Sequence, residues 1–213
     1  MAERTWFPYV VPSEHRRINE FVGLVLATLA ILIALSLVSF NPDDPSFNIS
    51  TNPRFAGSAT NFVGVVGSYV ADLFFQTWGF SSFLIPIFLG VYAFYWLASW
   101  PVKHFWTRFF GMILMTVTLA GSLGMSSFHI RDHMPAGGLF GAMLAENLQR
   151  ALNPAGTVVV LLASLLVSLF LATTFSFSSA IVFLKPRFHF VSVLAERWAE
   201  RKARTAKSET DRK

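Results

Sequence analysis

The chain has 213 residues, 54% of them hydrophobic and only 14% charged, against about 25% charged in a typical soluble domain. That balance excludes an ordinary soluble fold, which needs far more polar surface. The net charge of +5 belongs to one tail, because from Lys185 onward nine Lys/Arg face four acids and the rest of the chain is balanced.

Residues 1–20 read as a cytoplasmic N-terminal segment that carries the basic pair Arg16-Arg17 just before the first apolar run. Residues 21–40 are uncharged and long enough to cross a bilayer, which takes about twenty residues. Asn41-Pro42-Asp43-Asp44 follows where a cleaved leader would carry small residues, so the run reads as a retained span. Pro42, Pro45 and Pro53, set among Asn and Asp, write turn chemistry into 41–58.

Residues 61–78 are largely apolar but contain Asp72 and Gln76 and run into Gly79. Here Gly57, Asn61, Gly64, Ser68 and Ala71 recur at helical spacing as a small-residue stripe, with Gly67 beside it. Helices in lipid associate through such close-approach surfaces, so the stripe packs either within the chain or against another subunit. Asp72 is the only acid in the apolar stretches, and at an interface it pins or caps a helix rather than relaying protons.

Further spans follow at 80–100, closed by Trp96, Trp100 and Pro101, and at 109–128, entered from Arg108. His129 and His133 stand four apart, a spacing that suits a metal only on a helix and with a third ligand; Pro135 argues against that helix. Residues 137–152 read as an amphipathic helix lying flat, with Leu139, Phe140, Met143, Leu144 and Leu148 on one face and a Glu146/Arg150 pair on the other. The last span is 155–177. In the tail, 179–213, Trp198 and its apolar neighbours oppose Arg197, Arg201, Lys202 and Arg204, a pattern that suits an anionic lipid surface better than DNA.

Charge decides the count of crossings. With four spans, one side collects fourteen Lys/Arg and the other only Arg54, Arg131 and Arg150, a clear positive-inside pattern. The expected fold is therefore an all-α membrane protein: four transmembrane helices with both ends in the cytoplasm, helices 61–78 and 137–152 at the outer face, and an interfacial helix in the tail. No cofactor or metal site is expected. No lysine follows a glycine, which excludes a Walker A loop, and without cysteine there is no thiolate nucleophile. An enzyme is thus not expected, and a small transporter or channel is the competing class.

Three motifs carry a resemblance. Ser39-Phe40-Asn41-Pro42-Asp43-Asp44-Pro45-Ser46, then Asn61-Phe62-Val63-Gly64-Val65-Val66-Gly67 with Ala71-Asp72 and Gly79, then Gly137-Gly138-Leu139-Phe140-Gly141 leading to Asn153-Pro154-Ala155-Gly156-Thr157, occur in this order. Together they resemble the membrane region of the bacterial FtsK/SpoIIIE DNA translocases, over roughly 21–178. The resemblance implies a four-pass anchor at the division septum of the inner membrane, with Asn41, Pro42, Asp44 and Pro45 opening a periplasmic loop. It also implies a homo-oligomer, a hexamer in that family, and contacts with other cell-division proteins. DNA is then handled only by a motor domain, which these residues do not include; the chain is either a fragment of a translocase or a stand-alone anchor.

Overall fold

In lipid every backbone amide and carbonyl must be satisfied within the segment, so uncharged runs of this length close on themselves as helices. The computed structural model describes residues 11–47, 59–102, 104–126, 128–130 and 134–173. Helix α1 spans Arg16–Val38, α2 Gly64–Trp78, α3 Leu84–Leu97, α4 Phe105–Gly124 and α5 Gly138–Ala172. A 3-10 turn, Gly79–Phe83, joins α2 to α3, and the short strands β1 (His129–Ile130) and β2 (Met134–Pro135) pair antiparallel. Four continuous helical stretches are long and apolar enough to cross a membrane: Arg16–Val38, Gly64–Leu97, Phe105–Gly124 and Gly138–Ala172.

The helix ends depart from the apolar runs for local reasons. Helix α1 starts before Phe21 because Asn19, fully buried, knots the polar lead-in. Its Oδ1 accepts from Ser13 N and Oγ at 2.8 and 3.0 Å, and its Nδ2 donates to Ser13 O and to Ser99 Oγ at 2.7 and 3.1 Å. Helix α4 starts at Phe105, ahead of the expected 109, as Phe105, Trp106, Phe109 and Phe110 stack on one another at helical spacing. It stops at Gly124, short of 128, where Ser126 Oγ turns back to Leu123 O.

Length separates α2 from the crossing. At 1.5 Å per residue α3 extends about 21 Å, short of a hydrocarbon core of about 30 Å, and the 3-10 turn adds roughly 10 Å. The turn and α3 together therefore suffice without α2. Gly79 sits at φ 59°, which redirects the chain there. The contacts of α2 with α1 fall on the final turns of α1: Gly67 lies against Ser36, while Ala71 and Phe75 pack with Leu37 and Phe40. Helix α2 thus meets α1 at its end rather than along its length.

Helix α5 contains a break. Asn153 has φ 57° and ψ 165°, Pro154 follows, and Thr157 Oγ1 returns to Asn153 O at 3.0 Å, so 138–152 and 154–172 are two helical segments in line of sequence but not of direction. In the first segment Leu139, Phe140 and Met143 are exposed, while Gly138, Gly141 and Ala145 are buried. Leu139 and Met143 accordingly turn away from the protein, while the small residues pack and Phe140 and Leu144 reach Trp78 and Gly121.

The bundle is built from two pairs. Helices α1 and α3 meet where Gly23 touches Leu97, and α4 meets α5 where Gly111 touches Leu171 and Ala172 and Gly121 touches Leu144 and Leu161. Beyond these pairs lie two ends: a hairpin end, where α3 turns through Ser99 and His104 into α4, and a loop end, where α1, α2, the 3-10 turn and the start of α5 gather. At the loop end backbones touch. A methyl group on Gly141 would fall 2.2 Å from Ala120 O, one on Gly137 2.1 Å from the same oxygen, one on Gly124 2.3 Å from Gly141 O, and one on Gly79 2.0 Å from Ala136 O. The Gly141→Ala protein is expected to lose about 1–3 kcal/mol by overpacking. Gly90→Ala, at a helical position with open space around it, is expected to be neutral or slightly stabilising. Thermal melts of the two variants in detergent check this contrast.

Candidate functional site

The turn motif after α1 does more than end a helix. Asp44 is only 4% exposed, and its carboxylate collects three donors from a segment sixteen and seventeen residues on: Thr60 N at 2.8 Å and Thr60 Oγ1 at 2.9 Å on Oδ1, and Asn61 N at 3.0 Å on Oδ2. Asn41 Nδ2 donates to Thr60 Oγ1 at 3.0 Å, and its Oδ1 accepts from Asp43 N at 3.2 Å. Pro42 opens the turn, and the carbonyl of Pro45 accepts from Ser68 Oγ at 2.8 Å.

Asn61 completes the knot from the other side. Also 4% exposed, it donates to Ser36 O at 2.8 Å and Ser39 O at 3.3 Å, two of the carbonyls that the end of α1 leaves open, and accepts from Val63 N at 3.1 Å. Ser39 Oγ accepts from Phe62 N at 2.9 Å. The orphan groups of two helix termini are thereby satisfied in one network, which fixes where α2 begins relative to where α1 ends.

The small-residue stripe meets the same network. Gly67, Ser68 and Ala71 are buried within the chain, toward α1 and the turn, and a methyl on Gly67 would press on Asn61 Oδ1, Val63 and Ser36 Oγ. Gly64 is different: its φ of 73° makes the turn into α2, and nothing lies within 4 Å of a methyl placed there. Gly57 lies outside the described residues, as do Arg197, Arg201, Lys202, Arg204 and His133. Asp72, 6% exposed, accepts from Gln76 Nε2 at 2.6 Å one turn along α2. His129 lies in strand β1, which removes the helical i,i+4 geometry a two-histidine site would use.

Hydroxyls along the spans are turned onto their own helices. Thr28, Ser36 and Thr116 each donate to the carbonyl four residues back, at 2.8–3.0 Å, and Ser168 to the one three back, at 2.8 Å. Such back-bonding satisfies these donors within their own helices. Among the described residues no group of three His, Asp or Glu side chains is placed to hold a metal. What the geometry provides is positioning: helix ends tied by side chains, and helix faces held by glycine contacts.

These features define a multi-pass helical protein of the inner membrane with four spans. The chain belongs to the family of the 4TM region of DNA translocase FtsK/SpoIIIE, whose model matches residues 15–184. Among curated relatives, the DNA translocase FtsK of Pseudomonas aeruginosa is 30% identical over 173 residues, covering 73% of this chain and 20% of the relative. Its counterpart in Pseudomonas syringae pv. tomato is 25% identical over 195 residues, covering 83% and 23%, and that of Rickettsia prowazekii 28% identical over 137 residues, covering 63% and 17%. The chain thus spans about a fifth of the length of the curated relatives it matches. No solved structure matches it.

The knot at Asp44 yields a test. Asp44→Asn keeps the shape but replaces one acceptor oxygen with an amide donor facing N–H groups, and is expected to cost about 1–3 kcal/mol. Thr60→Val, which leaves the backbone donor in place, is expected to cost less. Guided proteolysis at the loop end, alongside melting temperatures, reads both.

Proposed function

We propose that this chain is the membrane anchor and assembly module of a cell-division DNA translocase. It holds the translocase in the inner membrane at the septum, with both ends in the cytoplasm, 1–20 and 179–213 as cytoplasmic segments and 21–178 as the membrane domain. The observation that carries this reading is the match of the four-span family region across 15–184, with relatives named as DNA translocases extending far beyond it. Anchoring asks for fixed helix geometry and no chemistry, and the knots at Asn19, Asp44 and Asn61 supply that geometry. Homo-oligomers, hexameric by family resemblance, and contacts with other division proteins belong to the same proposal. DNA is moved by a motor outside these 213 residues. The basic tail residues Arg197, Arg201, Lys202 and Arg204 rest on anionic lipid in this reading.

Topology and location are tested together. The chain has no native cysteine, so single cysteines report cleanly. Cysteines at Phe47 and Asn147 are expected to react with an impermeant maleimide added outside spheroplasts, and those at Glu14 and Lys103 only after lysis. A fluorescent fusion is expected to gather at mid-cell before constriction. Uniform membrane fluorescence with correct labelling would keep the anchor and remove the septal role.

A further inference from the structure

We propose that the furrow between α3 and α4 is a binding site for one anionic glycerophospholipid, with an acyl chain in the furrow and the phosphate at Arg108 and Tyr92. Helices α3 and α4 are consecutive, yet α3 packs on α1 and α4 on α5, so they leave between them a cavity of about 290 Å³. Its walls are apolar, with Ile85 and Leu89 on one side and Met112 and Ile113 on the other. That chemistry accepts hydrocarbon.

At the hairpin end the lining changes. Tyr92 faces the cavity with its ring against Phe105 at 5.4 Å, and its hydroxyl is buried without a hydrogen-bond partner. A buried hydroxyl left unpaired in a well-packed protein points to a missing acceptor. Arg108 follows one turn after Phe105 on α4, and its guanidinium lies 5.6 Å from the centre of the ring of Tyr95, one turn after Tyr92 on α3, and donates to Tyr95 Oη at 3.2 Å. Of its five N–H donors that bond uses one. No Asp or Glu occurs between Asp72 and Asp132, and the ion pairs among the described residues are Arg16–Glu20 and Glu146–Arg150, so no carboxylate of the hairpin answers this cation.

An apolar furrow that ends in a cation and a free hydroxyl matches a lipid, whose phosphate oxygens accept from both groups. Basic pockets between spanning helices bind anionic headgroups in this way.

Native mass spectrometry of the full chain, incubated with equal phosphatidylglycerol and phosphatidylethanolamine, tests the site. One phosphatidylglycerol is expected to be retained, with a preference of roughly fivefold that Arg108→Gln abolishes. Tyr92→Phe is expected to weaken retention without abolishing it, and Arg150→Gln, at an exposed pair on α5, to leave it unchanged. Should Arg108→Gln fail to fold, Tyr92→Phe decides alone. Equal retention of the two lipids by the wild-type chain would overturn the proposal. So would variants that retain phosphatidylglycerol as well as wild type, or disulfide pairing of Ile113→Cys between copies in the membrane.

Discussion

Lipid gives apolar helices no reason to leave it for one another, so the bundle depends on how closely backbones can approach. In this chain that approach is concentrated at the loop end, where Gly124, Gly137 and Gly141 bring α4 within backbone contact of the start of α5. Gly79 brings the 3-10 turn onto Ala136, and Phe80 N donates to Ala136 O at 2.8 Å. Push α4 and α5 apart by one methyl and this seam opens, along with the hydrogen bond that seats the turn between α2 and α3.

Polar knots do the complementary work. Asn19 ties the start of α1 to Ser99 at the hairpin end, and Asp44 with Asn61 ties its far end to the start of α2. Helix α1 is therefore fixed at both ends while most of its flank stays exposed to lipid. Buried side-chain amides and carboxylates of this kind are stabilising only when their donors and acceptors are met, and here Asn19 is met by Ser13 and Ser99, Asp44 by Thr60 and Asn61, and Asn61 by carbonyls at the end of α1. A module that anchors larger machinery gains from such fixed ends.

Much of this was legible in the sequence, and the limits have physical causes. The spans were visible because lipid imposes length and apolarity. Span ends moved by several residues since polar turns such as Arg16–Glu20 remain helical when a side chain knots them. The Asn41–Pro45 motif read as a turn, but its partners Thr60 and Asn61 lie across a loop, and spacing carries no sign of them. The stripe read as packing within the chain ahead of a subunit contact, and three-dimensional placement turns Gly67, Ser68 and Ala71 inward. Tyr92 and Arg108 passed unnoticed as a pair because each is ordinary in an aromatic-rich hairpin, and Ala120 as a contact because it is a glycine's neighbour without being one.

Gly124 and Gly141 serve a single seam between α4 and α5, and a double-mutant cycle in detergent measures that directly. If α4 and α5 are held by this contact, Gly124→Ala and Gly141→Ala together should cost less than the sum of their separate losses, by more than about 0.5 kcal/mol, because the first substitution already parts the helices. Strictly additive losses would mean that the two glycines act at independent places, and would contradict the seam.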